Sequence, residues 1–194
     1  MPSTTFPYQK DVVAHIVSLK EKKALGYDFN ILIRVHPIDR YDAYQEFEGR
    51  EGVHIERAGE SRLPDTMHGH KIEMTKKDLL NVKYTLQYTD VNVNFASTLS
   101  LESCIFDQPI VNVGIGVYNE AYEWTHYKPV VDTGGVQVAR TLEEIGPLID
   151  MYIKDRSRDA ERRKEIVRRW VQFTDGLSYE RSVEALLKIV TSKT

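Results

Sequence analysis

A strand end, two hydroxyl side chains and a carboxylate fall within one short stretch of the sequence. Ser97 and Thr98 follow an alternating run at residues 91–95 that is typical of a strand, and residues 98–106 are predicted to form a helix. Because the start of a helix presents unpaired N–H groups and the positive end of its dipole, it attracts phosphate. Glu102 lies one turn beyond Thr98, where its carboxylate can accept hydrogen bonds from a ribose diol.

A second strand end carries a histidine. The nearly continuous apolar, β-branched run at residues 30–36 ends at Pro37, directly after His36. In parallel α/β folds, ligands bind outside the carboxyl ends of the strands. His36 is therefore a candidate binding residue, and the alternative is a loop histidine whose hydrogen bonds are satisfied locally.

Short strands alternate with helices along most of the chain, which predicts an α/β fold with a Rossmann-like, doubly wound parallel sheet and C-terminal helices. Strands are predicted at residues 30–36, 53–56, 91–95 and 110–113, and helices at residues 8–25, 41–47, 78–88 and 98–106. We expect a linker or tail at residues 1–8, then one domain over residues 9–194 that includes a helical segment at 141–194. The polar stretch at 58–77 is expected to be a mobile or functional loop.

Composition narrows the class of protein. The 194 residues are 41% hydrophobic and 28% charged with a net charge of −3, so a soluble domain without a nucleic-acid partner is expected. One cysteine, Cys104, excludes an intrachain disulfide, and the helix that carries it predicts a buried thiol. His68 and His70 have no further ligand at a recognisable spacing, so no metal site is expected. The absence of a signal-peptide pattern and of a long apolar run predicts a cytoplasmic location.

The two strand ends together resemble a known family. Val-His-Pro at residues 35–37 and the run ASTLSLESCIFDQPIVNV at residues 96–113 are similar to the C-terminal half of GT-B glycosyltransferases, which have two Rossmann domains. The likeness is to the group of CDP-glycerol glycerophosphotransferases and capsule polysaccharide biosynthesis enzymes. It extends to Asp175-Gly176 and Arg181, and it covers residues 30–185.

The resemblance implies a role for each matching residue. Ser97 and Thr98 would hold the diphosphate of a nucleotide-activated donor, and Glu102 would hold the ribose hydroxyls. His36 and Arg181 would bind or neutralise phosphate. The implied catalysis is electrostatic stabilisation of the departing nucleotide diphosphate, with no cofactor and no bound metal, and with a base supplied from outside the chain.

Several of these residues have a second interpretation that the sequence leaves open. Ser97 and Thr98 are also favoured helix caps, and Arg181 is also a solvated helix residue. Asp175-Gly176 is also a turn dipeptide. The aromatic loop with His126 and Tyr127 either stacks on the base or sugar of the donor, or packs on the sheet.

The resemblance implies the donor-binding domain of a transferase that moves a sugar or a polyol phosphate in surface polysaccharide synthesis. The chain begins at the linker before the second GT-B half, so we expect an N-terminal Rossmann domain as its partner and no turnover by the isolated chain. A nucleotide-sugar 2-epimerase-like domain and a non-catalytic binding module are the alternatives. The basic stretch at residues 154–169, with eight Lys/Arg against four Asp/Glu, is either a solvated helix face or a peripheral contact with the inner membrane surface.

Overall fold

A computed structural model describes residues 8–37, 39–57, 59–61 and 72–191, and shows an α/β chain with two small parallel sheets. The strands are β1 (Ile31–Val35), β2 (Val53–Arg57), β3 (Glu60–Ser61), β4 (Ile72–Glu73), β5 (Asn92–Asn94), β6 (Ile110–Val113) and β7 (Gln137–Ala139). The α-helices are α1 (Gln9–Glu21), α2 (Lys76–Tyr88), α3 (Leu99–Ile105), α4 (Lys128–Asp132), α5 (Leu142–Lys154), α6 (Ala160–Ile166) and α7 (Ser178–Thr191). Short 3₁₀ helices span Tyr41–Phe47, Gly116–Tyr118 and Glu120–Glu123, and a π-helical turn spans Val167–Val171.

β6 forms the centre of a three-stranded sheet, with β5 and β7 parallel to it on either side. Asn112 of β6 pairs with Asn94 of β5 and with Val138 of β7. All four residues of β6 are buried, as expected for a strand that is covered on both faces. β1 and β2 form a second parallel pair, in which Ile31 lies opposite Val53, and β3 pairs with β4 in antiparallel orientation. The carboxyl ends of β5, β6 and β7 therefore meet at one edge.

Three apolar clusters lie between the sheets and the helices. Helix α1 contributes to two of them, because Val12 packs against β6 and α5 while Val17 packs against β1. On the other face of the three-stranded sheet, Ile110 packs with Cys104 of α3 and Ile166 of α6. The shared helix α1 thus connects the packing of the two parallel sheets.

The predicted α/β class is confirmed, and the predicted strands are observed at 31–35, 53–57, 92–94 and 110–113. The structure adds β7, which has three residues and is too short to give a recognisable pattern. Parallel sheets of two and three strands are shown, so a single doubly wound sheet stays a prediction. The C-terminal segment contains α5, α6 and α7, as the predicted helical segment at 141–194 requires.

Arg163 belongs to the basic stretch at 154–169 but, unlike a solvated residue, is buried in the interior. Its side chain is completely buried and donates hydrogen bonds to the Asp107 carboxylate (2.7 Å) and to the carbonyls of Arg158 (2.7 Å) and Arg156 (3.0 Å). It therefore fixes α6 against the loop between α3 and β6. Its exposed neighbour Lys164 pairs with an adjacent acid, so part of the local excess charge is compensated. Contact of this stretch with a membrane stays a prediction.

Some expectations fall on residues outside the described ranges. Residues 1–7 of the expected tail, most of the expected loop at 58–77, and the His68 and His70 pair lie there. In the described part of the chain, no group of three or more His, Cys, Asp or Glu side chains is arranged to hold a metal ion. None of the described helices combines the length and the apolar character needed to cross a membrane.

The buried thiol gives a first testable prediction. Cys104 is 3% exposed, and its burial raises the pKa of the thiol to about 12. Since the thiolate is the reactive form, we expect a disulfide reagent at pH 8 to leave the native protein unlabelled. The same reagent should label one thiol per chain after unfolding in guanidinium. Rapid labelling of the native protein would contradict the buried position.

The start of α2 gives a second prediction, on pH. The Asp78 carboxylate accepts hydrogen bonds from the Thr75 hydroxyl (2.6 Å) and from the N–H groups of Thr75 (2.8 Å) and Gly59 (3.0 Å), which lowers its pKa to about 2. Because this pKa lies below that of the unfolded chain, about 4, these bonds stabilise the protein fully above about pH 5 and are lost as the pH falls towards 2. Asp78→Asn should therefore reduce the free energy of unfolding at pH 7 and have a progressively smaller effect on acidification.

Urea denaturation between pH 7 and pH 2 would measure this change. Asp132→Asn, at an exposed carboxylate, is the control. A deficit for Asp78→Asn that stays constant over the whole range would show that ionisation of Asp78 does not contribute.

Candidate functional site

A cleft of about 700 Å³ opens at the carboxyl edge of the three-stranded sheet. Its lining residues come from the segments after β6 and β7: Gly114, Gly116, Asn119, Glu120, Glu123 and Arg140. Gly114 directly follows β6 and Arg140 directly follows β7. The position agrees with the rule that ligands of parallel α/β sheets bind outside the carboxyl ends of the strands.

Tyr122 connects this cleft to the end of β5. The side chain is completely buried, and its hydroxyl donates to the Val113 carbonyl (2.9 Å) and accepts from the Ala96 N–H (2.9 Å). Burial raises the pKa of Tyr122 above its ordinary value, so the phenol stays protonated and keeps its donor role. One hydroxyl thus links the loop after β5 to the end of β6.

Gly114 is required by the same packing. A Cβ atom at this position would lie 2.9 Å from Val138 Cγ1 and 3.2 Å from the Tyr122 ring. Because both neighbours are held in the interior, a larger residue would displace the ring and its hydrogen bonds. The glycine therefore lets the backbone of the cleft approach the tyrosine closely.

The loop after β5 leaves two adjacent amide groups available. Ala96 has a φ of +37°, in the left-handed region, and Ser97 Oγ accepts a hydrogen bond from the Leu99 N–H (3.2 Å). Within the described part of the chain, the N–H groups of Ser97 and Thr98 donate no hydrogen bond. Successive free N–H groups in such a turn are suited to binding an anion. Thr98 is exposed, and its hydroxyl does not cap α3.

A buried polar network holds α3 on the sheet. The Tyr127 hydroxyl donates to Ser100 Oγ (2.8 Å), and the Ser100 hydroxyl lies 3.0 Å from Asn112 Oδ1 and 3.2 Å from Asn94 Oδ1. The Asn112 side chain is completely buried, and its Nδ2 has no hydrogen-bond partner among the described residues. The network therefore fixes α3, and the loop before it, from below.

The structure brings three of the predicted site residues together. Ser97 and Thr98 precede α3, and the Glu102 N–H donates to the Thr98 carbonyl (3.3 Å) one turn later. Glu102 is exposed, but nearby protein atoms partly desolvate its carboxyl group and raise its pKa. An exposed carboxylate one helical turn after two amides that donate no hydrogen bond within the described residues can accept hydrogen bonds from the hydroxyl groups of a ligand.

His36 lies in the turn that follows β1 and does not line the cleft. It is exposed, and its carbonyl accepts a hydrogen bond from the N–H of the buried Asp39 (2.8 Å). Burial, and next the charge of Asp39, raise the pKa of Tyr118. The Tyr118 ring packs on Phe95 with 4.8 Å between ring centroids. Tyr118 therefore contacts Phe95 at the end of β5 and is close enough to Asp39, in the turn after β1, to feel its charge.

Arg181 is not brought into the cleft lining. Its guanidinium forms an ion pair with Asp175 and lies 3.9 Å from the centroid of the Phe173 ring, both in the segment just before α7. Asp175 also accepts from the Leu177 N–H (3.1 Å), and Gly176 has a φ of +76°. The Asp175-Gly176 dipeptide therefore forms a turn that the arginine closes.

The aromatic loop splits into an exposed and a buried part. His126 is exposed and stacks against Trp124, with 5.6 Å between ring centroids. Tyr127 is only 8% exposed, and its hydroxyl belongs to the network beneath α3. The pair formed by Trp124 and His126 offers an open stacking surface, whereas Tyr127 positions the helix.

Sequence reasoning missed the side chains that organise the cleft. Arg140 would have been found as a strand-end residue if β7 had been recognised. Asn112 interrupts an otherwise apolar strand, and a polar residue at such a position signals a buried hydrogen-bond network. Glu123 and Tyr122 belong to the aromatic loop, but nothing in their spacing shows that they reach the end of β5 or line a cleft.

Removal of the Tyr122 hydroxyl tests the link between the two strand ends. Tyr122→Phe deletes both hydrogen bonds and removes the partner of a buried carbonyl and of a half-buried amide, so we expect it to lower the free energy of unfolding by about 2 kcal/mol. Urea denaturation measures this value. Tyr88→Phe, at a ring that is 72% exposed, is the matched control and should stay within about 0.5 kcal/mol of the wild type. Equal stability of the two variants would show that the link contributes nothing.

Comparison with known proteins does not assign the chain to a family. No protein-family model, no curated protein and no solved structure matches this chain. The likeness to GT-B transferases therefore stays a prediction from the sequence motifs, and the candidate site is defined by its own geometry.

Proposed function

We propose that the carboxyl edge of the three-stranded sheet binds a nucleotide diphosphate donor, and that the chain is the donor-binding domain of a transferase. The transferred group would be a sugar or a polyol phosphate, in the synthesis of a surface polysaccharide. One observation carries the proposal. Within the described residues, the N–H groups of Ser97 and Thr98 donate no hydrogen bond, and they directly follow Ala96, which Tyr122 holds at the sheet edge where the cleft opens.

The loop before α3 supports the phosphate position. The two free amides and the exposed Thr98 hydroxyl are hydrogen-bond donors, and an anion next to them also lies near the positive end of the α3 dipole. Glu102, one turn further along α3, is close enough in the chain to accept the hydroxyls of a ribose attached to that phosphate. The exposed His36, in the turn after β1, would add a further polar contact if the strand ends lie on the same side.

The cleft supports the position of the transferred group. Two carboxylates, Glu120 and Glu123, line it together with Arg140, whose guanidinium lies 3.8 Å from Glu123 and donates to the Asn119 carbonyl (3.2 Å). This lining carries more negative than positive charge, so a second phosphate would be repelled there. Carboxylates accept hydrogen bonds from hydroxyl groups, and the cleft therefore suits a polyhydroxylated group such as a sugar or glycerol.

The packing supports a Rossmann-like arrangement of the two parallel sheets. Helix α1 packs against β1 through Val17 and against β6 through Val12. Asp39, after β1, acts electrostatically on Tyr118, after β6. We infer one doubly wound layer with the strand ends on the same side.

Transfer would also need the acceptor and the base of an N-terminal Rossmann half, so the chain alone is expected to bind donor without turnover. The enzyme would work at the inner membrane surface, with residues 154–169 against anionic lipid.

Titration calorimetry with UDP, CDP, GDP and CMP tests the proposal. Thr98 has a φ of −56°, which proline tolerates, so Thr98→Pro removes the amide donor, and Thr98→Ala is the matched control that keeps it. We expect Thr98→Pro to weaken binding of the preferred diphosphate at least tenfold, or about 1.4 kcal/mol, and Thr98→Ala, which loses only the hydroxyl, to weaken it less than Thr98→Pro does.

A comparison of nucleotide and pyrophosphate affinities tests the proposed ribose position separately. Glu102→Ala should weaken binding of the nucleotide diphosphate and leave the affinity for inorganic pyrophosphate unchanged, because pyrophosphate has no ribose. Equal affinity of wild type and Thr98→Pro for the nucleotide would refute the phosphate position. If the folded wild-type domain binds none of the four nucleotides, the proposed function is refuted and a non-catalytic module is favoured.

A further inference from the structure

Helix α7 exposes a broad apolar face. Every residue of this helix except Arg181 is exposed. Six large apolar side chains are more than half exposed. Ile189 (55%) lies at the edge, and the other five form the face: Tyr179 66%, Val183 53%, Leu186 63%, Leu187 58% and Val190 67%. A helix of this length is marginal in water by itself, and packing of its apolar face supplies most of the stability of such a helix. We therefore expect the apolar face of α7 to pack against another protein surface or a lipid surface.

The exposed area is large enough for a stable interface. Covering these five side chains would remove on the order of 600 Å² of surface per chain, close to the roughly 800 Å² per partner of a standard interface. Phe173 and Leu177, just before the helix, are 52% and 41% exposed and would extend the same contact. The area is thus that of one side of a dimer.

The apolar positions of α7 have the same spacing when read in either direction. Tyr179, Val183, Leu186 and Val190 follow one another at intervals of four, three and four residues, which is the spacing of a coiled-coil seam. In an antiparallel pair about the helix midpoint, Tyr179 faces Val190 of the second helix, and Val183 faces Leu186. Each contact places a large residue opposite a smaller one, as interlocking layers require.

The charges of α7 are compatible with pairing to its own copy. At 100° per residue, Arg181, Glu184 and Lys188 fall on the side opposite the seam, whereas Glu180 lies at its flank and accepts a hydrogen bond from the Tyr179 hydroxyl (2.8 Å). These four residues are the charged residues of α7. They are two acids and two bases, so the seam contains no like-charge contact and the helix has no net charge. A helix that lies on a membrane typically carries an excess of Lys and Arg on its polar face, and α7 does not. These features favour a second copy over a lipid surface.

We propose that α7 is a dimerisation helix that pairs in antiparallel orientation with α7 of a second copy of this chain, about a twofold axis. The pairing buries the seam of Tyr179, Val183, Leu186 and Val190 in both copies, with Leu187 at its edge. The proposal uses no residue of the cleft or of the loop before α3. Its outcome is therefore independent of nucleotide binding.

Sedimentation equilibrium of the full chain across the micromolar range tests the proposal. We expect the wild type to sediment as a dimer and Leu186→Glu to weaken the dimer at least 100-fold. Ala185→Glu is the matched control, since it adds the same charge on the polar side of the same helix and should leave the dimer intact. Because no residue of α7 is buried, circular dichroism should show the domain folded in both variants.

Cysteine cross-linking tests the direction of the pair. In the antiparallel arrangement the two copies of residue 179 are separated by about 16 Å along the axis, whereas residue 179 of one copy faces residue 190 of the other. Oxidation should therefore cross-link a mixture of Tyr179→Cys and Val190→Cys chains and leave each variant alone uncross-linked. The buried Cys104 is not expected to interfere. Cross-linking of each variant alone would overturn the antiparallel arrangement.

Three other outcomes would overturn the proposal. The first is a wild-type chain that stays monomeric at every concentration. The second is a dimer that resists Leu186→Glu, because it must form through another surface. The third is a monomer that binds phosphatidylserine vesicles and loses this binding in Leu186→Glu, which would assign the face to a lipid surface.

Discussion

The Tyr122 hydroxyl joins the two strand ends between which the candidate site lies. It accepts from the half-buried Ala96 N–H and donates to the Val113 carbonyl, and the second bond is in the interior, where water does not compete for it. Ala96 has a left-handed backbone, which costs on the order of 1 kcal/mol for a residue other than glycine. The tyrosine offsets that cost by satisfying the amide. The direction in which the chain leaves β5, and with it the position of Ser97 and Thr98, depends on this contact.

Other polar groups in the interior hold the same region from below. Ser100, Tyr127 and Asn112 connect α3 to the middle strand, and Arg163 connects α6 to the loop that follows α3. A buried polar group without a partner costs more than its hydrogen bond contributes, so each of these side chains is restricted to one arrangement. Helix α3 is therefore held rigidly on the side that faces the protein, while Thr98 and Glu102 stay exposed. Rigid support and an open outer edge are what a binding loop needs.

The parts of the fold that the sequence predicted are those that depend on local pattern. Residues 110–113 are buried on both faces, so they form a continuous apolar run, and the relation between Thr98 and Glu102 follows from one helical turn. β7 was missed because three residues carry no period. Arg140 and Glu123 lie close in space but come from different connections of the sheet, so no spacing along the chain indicates their contact. The burial of Arg163 was unpredictable for the same reason, since its partner Asp107 is 56 residues away.

The asparagine in the middle of β6 also bears on which pairing of the strands is possible. Successive residues of a strand point to opposite faces, so a shift of one residue would exchange the two faces of β6. Asn112 would then lie among the apolar side chains around Val12 and Ile145, and Val113 would replace it beside Ser100. The shifted sheet would also remove the hydrogen bond that Asn112 Oδ1 accepts from Ser100, and the whole side-chain amide would then lie among apolar groups, whereas an all-valine strand would accept either alignment. One polar side chain thus makes the correct alignment of the central strand unique.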